Sequence, residues 1–274
     1  MVSYIFHTYA EGISLIDTIN NTIEELNIKN CFFASYESMI LVGDYIYIIG
    51  GWHNRKKWYK FSIQSKSIEY TGDIEGIEIG DYVSICYDGK DYIYLVNGYE
   101  STSYNIEDRL NIDRFNINTM IFERYHQLSN HYKRQISTMI FNNNLYSLAF
   151  NNKRMLFKLD LTSQTVTDIE IDINTRTACY DDKGNFYIHS KHNNRFIRFN
   201  VETNQTTNLI SLPEKEGDVF LMYHRMSPTS NYIYSFGGVD YGNFRYSIET
   251  DQIEPYHTDL PYHSYWYGSL SIPY

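Results

Sequence analysis

The sequence predicts an all-β chain, folded as a six-bladed β-propeller with four-stranded antiparallel blades. Three observations support this fold class: strand-forming residues are abundant, one strand motif recurs along the chain, and the C-terminus supplies a strand that the N-terminus lacks. Tyr accounts for 28 of the 274 residues, and both Tyr and Ile favour strands. No linker-like stretch divides the sequence, so we expect a single domain over residues 1–274.

The recurring strand motif is a short run of aromatic and aliphatic residues. It occurs at Tyr45–Tyr47, Tyr92–Tyr94, Asn144–Tyr146, Asn185–Tyr187 and Tyr232–Tyr234, and a related run, Tyr4–Phe6, opens the chain. The final residues of successive motifs are 41, 47, 52, 41 and 47 positions apart. A period of about 45 residues is that of a propeller blade.

Two further elements accompany each motif. A strand-turn-strand segment follows it, as at Phe61–Ile68, with Ser, Thr, Asn or Asp in the turn. These residues bond their own backbone and close tight hairpins. A short apolar segment with small residues precedes the strand motif, as at Ser84–Tyr87, and is predicted to be the innermost strand. Each unit therefore contains four strands.

The two chain ends predict how the ring closes. The N-terminal unit has an opening strand and two more but no inner strand, and Gly268–Tyr274 resembles an inner strand without partners. Pairing the two ends removes exposed strand edges. We expect the C-terminal strand to complete the N-terminal blade, which gives six blades.

Composition excludes several functional classes. A net charge of −10 disfavours nucleic-acid binding, which depends on cationic groups. No apolar run approaches the ~20 residues that span a bilayer, and the N-terminus lacks the features of a signal peptide. The three cysteines, Cys31, Cys86 and Cys179, do not make a disulfide framework. We therefore expect a cytoplasmic monomer that binds neither nucleic acid nor membrane.

The strand motif followed by a Gly-Gly doublet, then by strand-turn-strand, resembles the kelch repeat. The resemblance covers nearly the whole chain and is strongest at Tyr45–Gly51 and Tyr232–Gly238; the fourth and fifth copies lack the doublet. The tyrosine- and asparagine-rich style is similar to kelch-like regions of social-amoeba proteins. The resemblance implies a protein-interaction platform, since most kelch propellers are platforms and a minority are enzymes.

The resemblance also implies where a ligand binds: at the face with the loops into the inner strands and the loops between second and third strands. The candidate ligand-binding residues on that face are Arg134, Arg176, Arg225, His224, Tyr82, Tyr36, Glu37, Trp266, Tyr267, Trp52 and Arg55. Guanidinium groups bind carboxylates and phosphates through paired hydrogen bonds. Arg134, Arg176 and Arg225 therefore predict a patch that recognises an acidic or anionic segment of a protein partner. Aromatic residues beside arginines are typical of interaction hot spots.

Structural roles are the alternative for these residues. Each arginine can instead pair with a carboxylate of a neighbouring blade, such as Glu37 or Asp81. Trp52 and Trp58 can pack against each other across a hairpin rather than face a ligand.

Two other functions remain open. Glu37, Asp81, His224 and the mouth arginines would suit an acid–base site for a small anionic or sugar substrate, similar to a mutarotase or hydrolase. Trp266 and its neighbouring tyrosines would suit carbohydrate binding without catalysis. The sequence favours binding over catalysis, because no phosphate-binding loop, metalloprotease motif or nucleophile elbow is present.

No metal or cofactor is expected. The nine histidines are scattered without metal-site spacing. Asp168–Asn174 alternates acidic residues with isoleucine, but it lacks the glycine that a calcium loop needs. Strict alternation instead predicts an outer strand with one solvated face. Cys86 and Cys179 fall inside predicted inner strands, where small buried thiols are ordinary.

Overall fold

A computed structural model shows the architecture of the chain. It describes residues 3–9, 12–28, 37–51, 55–80, 83–96, 99–101, 106–108, 111–129, 135–149, 155–190, 192–213, 220–236, 243–257 and 268–273. These residues form twenty-six strands and no α-helix. Accordingly, no helix in the described ranges has the length and apolarity needed to cross a membrane.

The strands form six four-stranded antiparallel sheets, each of which is one blade. The first blade contains β1 (Tyr4–Tyr9), β2 (Gly12–Asp17), β3 (Thr22–Leu26) and the C-terminal β26 (Ser269–Ile272). The second contains β4 (Met39–Val42), β5 (Tyr45–Ile49), β6 (Lys57–Ser62) and β7 (Ser67–Asp73). The third contains β8 (Ser84–Tyr87), β9 (Tyr92–Val96), β12 (Asn111–Asn116) and β13 (Ile121–Gln127), with a hairpin of β10 (Tyr99–Ser101) and β11 (Ile106–Asp108) inserted.

The other three blades follow in chain order. The fourth contains β14 (Gln135–Phe141), β15 (Asn144–Ala149), β16 (Met155–Asp160) and β17 (Val166–Glu170). The fifth contains β18 (Thr177–Tyr180), β19 (Asn185–Ser190), β20 (Arg195–Asn200) and β21 (Gln205–Asn208). The sixth contains β22 (Leu221–Ser227), β23 (Ser230–Phe236), β24 (Asn243–Ser247) and β25 (Gln252–Pro255). The innermost strands β4, β8, β14, β18, β22 and β26 contact one another in that order around the ring. The six-bladed propeller that the sequence predicts is confirmed.

The C-terminal strand closes the ring as predicted. β26 pairs antiparallel with β1, with Ile272 opposite Tyr4 and Ser269 opposite His7. Beyond the strand, the Thr8 amide donates to the Gly268 carbonyl at 3.0 Å, and the Gly268 amide donates to Thr8 Oγ1 at 3.0 Å. The N-terminal blade therefore takes its innermost strand from the other end of the chain, which satisfies the backbone of β1 on both sides.

The hydrophobic core lies between neighbouring blades. Trp58, for example, is only 1% exposed and packs between the second and third blades. Its ring centroid is 4.7 Å from that of Phe115 and 4.9 Å from that of Tyr70. Trp58 thus belongs to β6 and the core, rather than to a loop facing a ligand; its predicted partner Trp52 lies outside the described residues.

The predicted strand over Asp168–Asn174 is correct in its alternation but wrong in its extent. β17 ends at Glu170, and residues 171–176 form the connection to β18. Ile171 and Ile173 are buried between the fourth and fifth blades, whereas Asp172 is exposed. The Asp172 carbonyl accepts a hydrogen bond of 2.6 Å from Arg195 Nη1. The segment therefore contacts the start of β20 in the fifth blade instead of continuing the sheet.

The two faces of the propeller carry different connections. On the face where the inner strands end, here called the turn face, connections span two to five residues and close hairpins. Many are held by a side chain: Asp88 Oδ1 accepts hydrogen bonds from the backbone amides of Lys90, Asp91 and Tyr92. On the face where the inner strands begin, here called the loop face, most connections are longer, up to residues 97–110.

Candidate functional site

The inner strands enclose a central cavity of about 180 Å³. Five of the six blades contribute to its wall. The described lining residues are Glu37, Met39, Ile40, Ile85, Cys179, Tyr180, Phe220, Leu221, Met222, Tyr223, Phe236, Ser269, Leu270 and Ser271. None of them is a lysine or an arginine, and Glu37 is the one carboxylate among them.

Glu37 lies two residues before β4, at the loop-face end of the cavity. Its backbone is fixed by the neighbouring blade, because its carbonyl accepts a hydrogen bond of 3.1 Å from the Ile85 amide. Burial raises the pKa of the Glu37 carboxyl well above its usual range. Within the described part of the chain, no ion pair or hydrogen bond involves its side chain, so nothing there offsets the cost of its charge.

The fifth blade presents a thiol and a phenol to the cavity. Cys179 and Tyr180 are the last two residues of β18. Burial raises the pKa of both side chains, and the nearby Glu37 carboxylate raises them further. Both groups are therefore uncharged at neutral pH. Glu37 and this pair line the cavity from opposite sides, because the second and fifth blades are opposite in a ring of six.

Two buried histidines stand behind the cavity wall. His7 Nδ1 lies 2.8 Å from Ser269 Oγ, and His224 Nδ1 lies 2.8 Å from Ser271 Oγ. Desolvation lowers the pKa of each histidine to about 4. Both imidazoles are therefore neutral at pH 7, and they orient the serine hydroxyls of β26 without adding positive charge.

Three predicted site residues lie on the loop face. Glu37 precedes β4, Arg176 directly precedes β18, and Arg55 lies in the connection between β5 and β6. The Arg176 amide donates to the His189 carbonyl at 2.8 Å, which anchors this arginine at the start of its inner strand. Both arginine side chains are partly buried and engaged in contacts. Of these three residues, Glu37 lines the cavity.

His224 and Arg225 do not lie on the loop face, which corrects the sequence-based placement. The sequence suggested an inner strand starting at Arg225, but β22 already begins at Leu221 and ends in a two-residue turn, Pro228–Thr229. Both residues are therefore well inside the strand, toward the turn face.

The contacts of these two residues follow from that position. Arg225 Nη1 lies 3.1 Å from Oδ2 of Asp182, which belongs to the β18–β19 turn. His224 has no exposed surface, and its Nε2 lies 2.8 Å from Ser3 Oγ and 3.2 Å from Thr18 Oγ1. Arg225 and Arg176 thus lie at opposite ends of the inner strands, and His224 joins the sixth blade to the first.

The remaining predicted site residues lie outside the described residues. They are Tyr36, Tyr82, Arg134, Trp52, Trp266 and Tyr267, together with Asp81 of the predicted acid–base set.

The aromatic wall of the cavity does not follow from the sequence pattern. Tyr180, Phe220, Tyr223 and Phe236 line it from the fifth and sixth blades. Tyr180 and Tyr223 occupy equivalent positions, opposite Phe186 and Ile233 in their blades. One sequence signal for this wall is the Cys-Tyr pair that recurs at residues 86–87 and 179–180, although the pair by itself predicts only an inner strand.

No group of three or more His, Cys, Asp or Glu side chains in the described ranges is arranged to hold a metal ion. Cys86 and Cys179 are buried free thiols of different blades, and burial raises the pKa of both.

Comparisons with known proteins bear on the fold. No family model and no curated protein matches the sequence. Among solved structures, the chain is similar to one in the crystal structure of a nidogen/laminin complex, at 9% sequence identity and a TM-score of 0.67. The similarity covers 97% of this chain and 98% of that one. At this identity it shows the propeller fold alone, and the kelch repeat stays a resemblance of sequence.

Proposed function

We propose that this propeller is a binding platform for a protein partner and that the partner docks on the loop face. The observation that carries the proposal is the difference between the two faces. Connections on the turn face are short and bond to themselves, as at Asp88 and Asp181. Most connections on the loop face are longer, and one includes the inserted β10–β11 hairpin. Longer loops on a rigid scaffold are where propellers place binding residues.

The solved structure with a similar fold supports a protein partner, because it is a complex between proteins. We further propose that the partner presents an acidic segment. Arg176 and Arg55 lie on the loop face, and Arg134 directly precedes β14 in the sequence. Arginine favours carboxylates through paired hydrogen bonds. The proposed aromatic contacts are Trp52, Trp266, Tyr267, Tyr36 and Tyr82. We also propose that the protein is a kelch-like monomer of the cytoplasm.

The experiment that tests this proposal compares two charge reversals. The loop-face variant carries Arg134→Glu and Arg176→Glu, and the turn-face control carries Arg225→Glu. Both are first checked for wild-type circular dichroism and thermal unfolding. A partner isolated from the source cell with the wild-type chain is then purified, and its Kd is measured for all three proteins.

We expect the loop-face variant to bind at least about tenfold more weakly, equivalent to about 1.4 kcal/mol. The turn-face control is expected to bind like the wild type. Equal weakening by both variants, or weakening by Arg225→Glu alone, would contradict the proposal.

A further inference from the structure

The central cavity combines a single carboxylate with an aromatic wall. Glu37 enters it from the second blade, and Tyr180, Phe220, Tyr223 and Phe236 line it from the fifth and sixth blades. A carboxylate and aromatic rings are two features that attract an organic cation, the first by charge and the second through the ring quadrupole. We propose that the central cavity binds a small alkylammonium ion between Glu37 and this aromatic wall.

The charges around the cavity favour a cation over an anion. The described lining contains no lysine or arginine. His7 and His224, which stand behind Ser269 and Ser271, are neutral at pH 7 because desolvation lowers their pKa to about 4. A net charge of −10 on the whole chain adds a background potential that also attracts cations.

Three hydroxyl groups of the wall have hydrogen-bond partners other than Glu37. Ser269 Oγ is engaged by His7 and Ser271 Oγ by His224, each at 2.8 Å. The Tyr223 hydroxyl donates to Asn231 Oδ1 at 2.9 Å. A partly buried carboxylate without a cationic partner is costly, and a bound cation would offset that cost.

The size of the cavity matches a small organic ion. Its volume of about 180 Å³ exceeds the roughly 150 Å³ of an engineered protein cavity that takes up benzene. A metal ion fits less well, because divalent cations require several oxygen ligands and Glu37 is the one carboxylate in the described lining. The hydrocarbon part of an alkylammonium ion can instead contact Met39, Ile40 and Leu270.

Proton linkage gives the site a distinctive pH dependence. A cation requires the ionised Glu37 carboxylate, whose pKa is raised by burial. The other titratable groups that the structure describes around the cavity do not change charge between pH 5 and 8: Cys179, Tyr180 and Tyr223 have raised pKa values, and the pKa of His7 and His224 is about 4. Arg176, at the start of the fifth blade, stays protonated throughout. Affinity for the cation should therefore increase with pH over this range.

The test uses the full chain and four added compounds at constant ionic strength. n-Butylammonium represents a lysine side chain, tetramethylammonium represents a free quaternary ammonium metabolite, and n-butanol and butyrate are the neutral and anionic controls. Binding is followed by calorimetry and by the shift in thermal unfolding. We expect one or both cations, and neither control, to bind; the tighter cation indicates the source of the natural ligand.

Two variant pairs separate charge from structure. Glu37→Gln removes the carboxylate and should weaken cation binding at least about tenfold, whereas Glu75→Gln, on an exposed residue of the loop face, should not. Tyr180→Phe keeps the ring and should retain binding, while Tyr180→Leu should weaken it about two- to fivefold.

Three results would overturn the proposal: no binding of either cation to the wild type, unchanged binding in Glu37→Gln, or affinity that falls as pH rises from 5 to 8. The pH series uses the wild type alone, so it decides even if a variant fails to fold. These measurements use small compounds and no partner protein, so this test and that of the proposed platform can fail independently.

Discussion

Ser271 Oγ lies 2.8 Å from Nδ1 of His224, so a single hydrogen bond connects the C-terminal strand to the innermost strand of the sixth blade. The other ring nitrogen of His224 lies 2.8 Å from Ser3 Oγ near the N-terminus. One buried imidazole therefore joins both ends of the chain to the sixth blade, at the seam where the ring closes.

Removing this imidazole should destabilise the whole propeller. In His224→Ala, the buried hydroxyls of Ser3 and Thr18 and the partly buried hydroxyl of Ser271 lose a partner, at a cost of about 1–3 kcal/mol for the first unsatisfied group alone. We expect the free energy of unfolding in urea to fall by at least that amount. His192→Ala, in an exposed turn, is the control and should change stability by less than about 0.5 kcal/mol. Equal stability of the two variants would contradict the role of the seam.

Acid should weaken the fold through the same residues. The folded-state pKa of His7 and of His224 is lowered from 6.5 to about 4, so the unfolded chain binds protons that the folded chain does not. The contribution of these two histidines to stability is fully present above pH 6.5. It is lost as pH falls toward 4, by on the order of 3 kcal/mol for each residue. Urea unfolding at pH 7.5, 6 and 5 measures this slope. Replacing both residues, as His7→Gln with His224→Gln, should flatten it; an unchanged slope would assign the acid sensitivity to other groups.

The close approach of Gly72 to Trp58 should make this glycine intolerant of a side chain. A Cβ atom at Gly72 would lie 2.4 Å from Trp58 Nε1, and the indole is buried between two blades and cannot withdraw. Gly72→Ala should cost about 1–3 kcal/mol by overpacking. Thr71→Ala, at the exposed neighbouring position, should cost less than about 0.5 kcal/mol. Thermal or urea unfolding measures the stability of both variants. If Gly72→Ala is as mild as Thr71→Ala, the blade interface adjusts to the added methyl group and the prediction is wrong.

Deletion of residues 268–274 should prevent stable closure of the ring. β1 would lose its partner β26 and expose a row of unpaired backbone groups. We expect the shortened chain to aggregate, or to unfold at least about 10 °C earlier, corresponding to a few kcal/mol. Size-exclusion chromatography and thermal unfolding measure this. A monomer of wild-type stability would show that the C-terminal strand is dispensable.

The fold was predictable because its signal is periodic. Residues such as Tyr47, Tyr94 and Tyr234 recur at blade spacing, and each lies in the second strand of its blade. The closing strand was predictable because one unit lacked an inner strand and the opposite chain end supplied one. These inferences need only strand pattern and strand count.

The site was less predictable, for two physical reasons. In the sixth blade, β22 and β23 continue past the recurring strand motif toward the turn face, since β23 begins at Ser230 and Tyr223 is opposite Ile233, and this places Arg225 toward the turn face. The cavity brings together residues far apart in the chain, such as Glu37 and Tyr180, and no local spacing encodes their approach across a ring. The sequence left two roles open for Trp58, because an aromatic residue beside charged residues has no pattern that separates core from surface.

Hydrogen exchange on the complex with the isolated partner tests the central claim, that the loop face is the binding surface. We expect the partner to slow exchange in loop-face connections, such as residues 27–38, 128–134 and 171–176. The turns at residues 88–91 and 181–184 should exchange as in the free chain. Protection confined to those turns, with the loop-face connections unchanged, would place the partner on the opposite face and contradict the account.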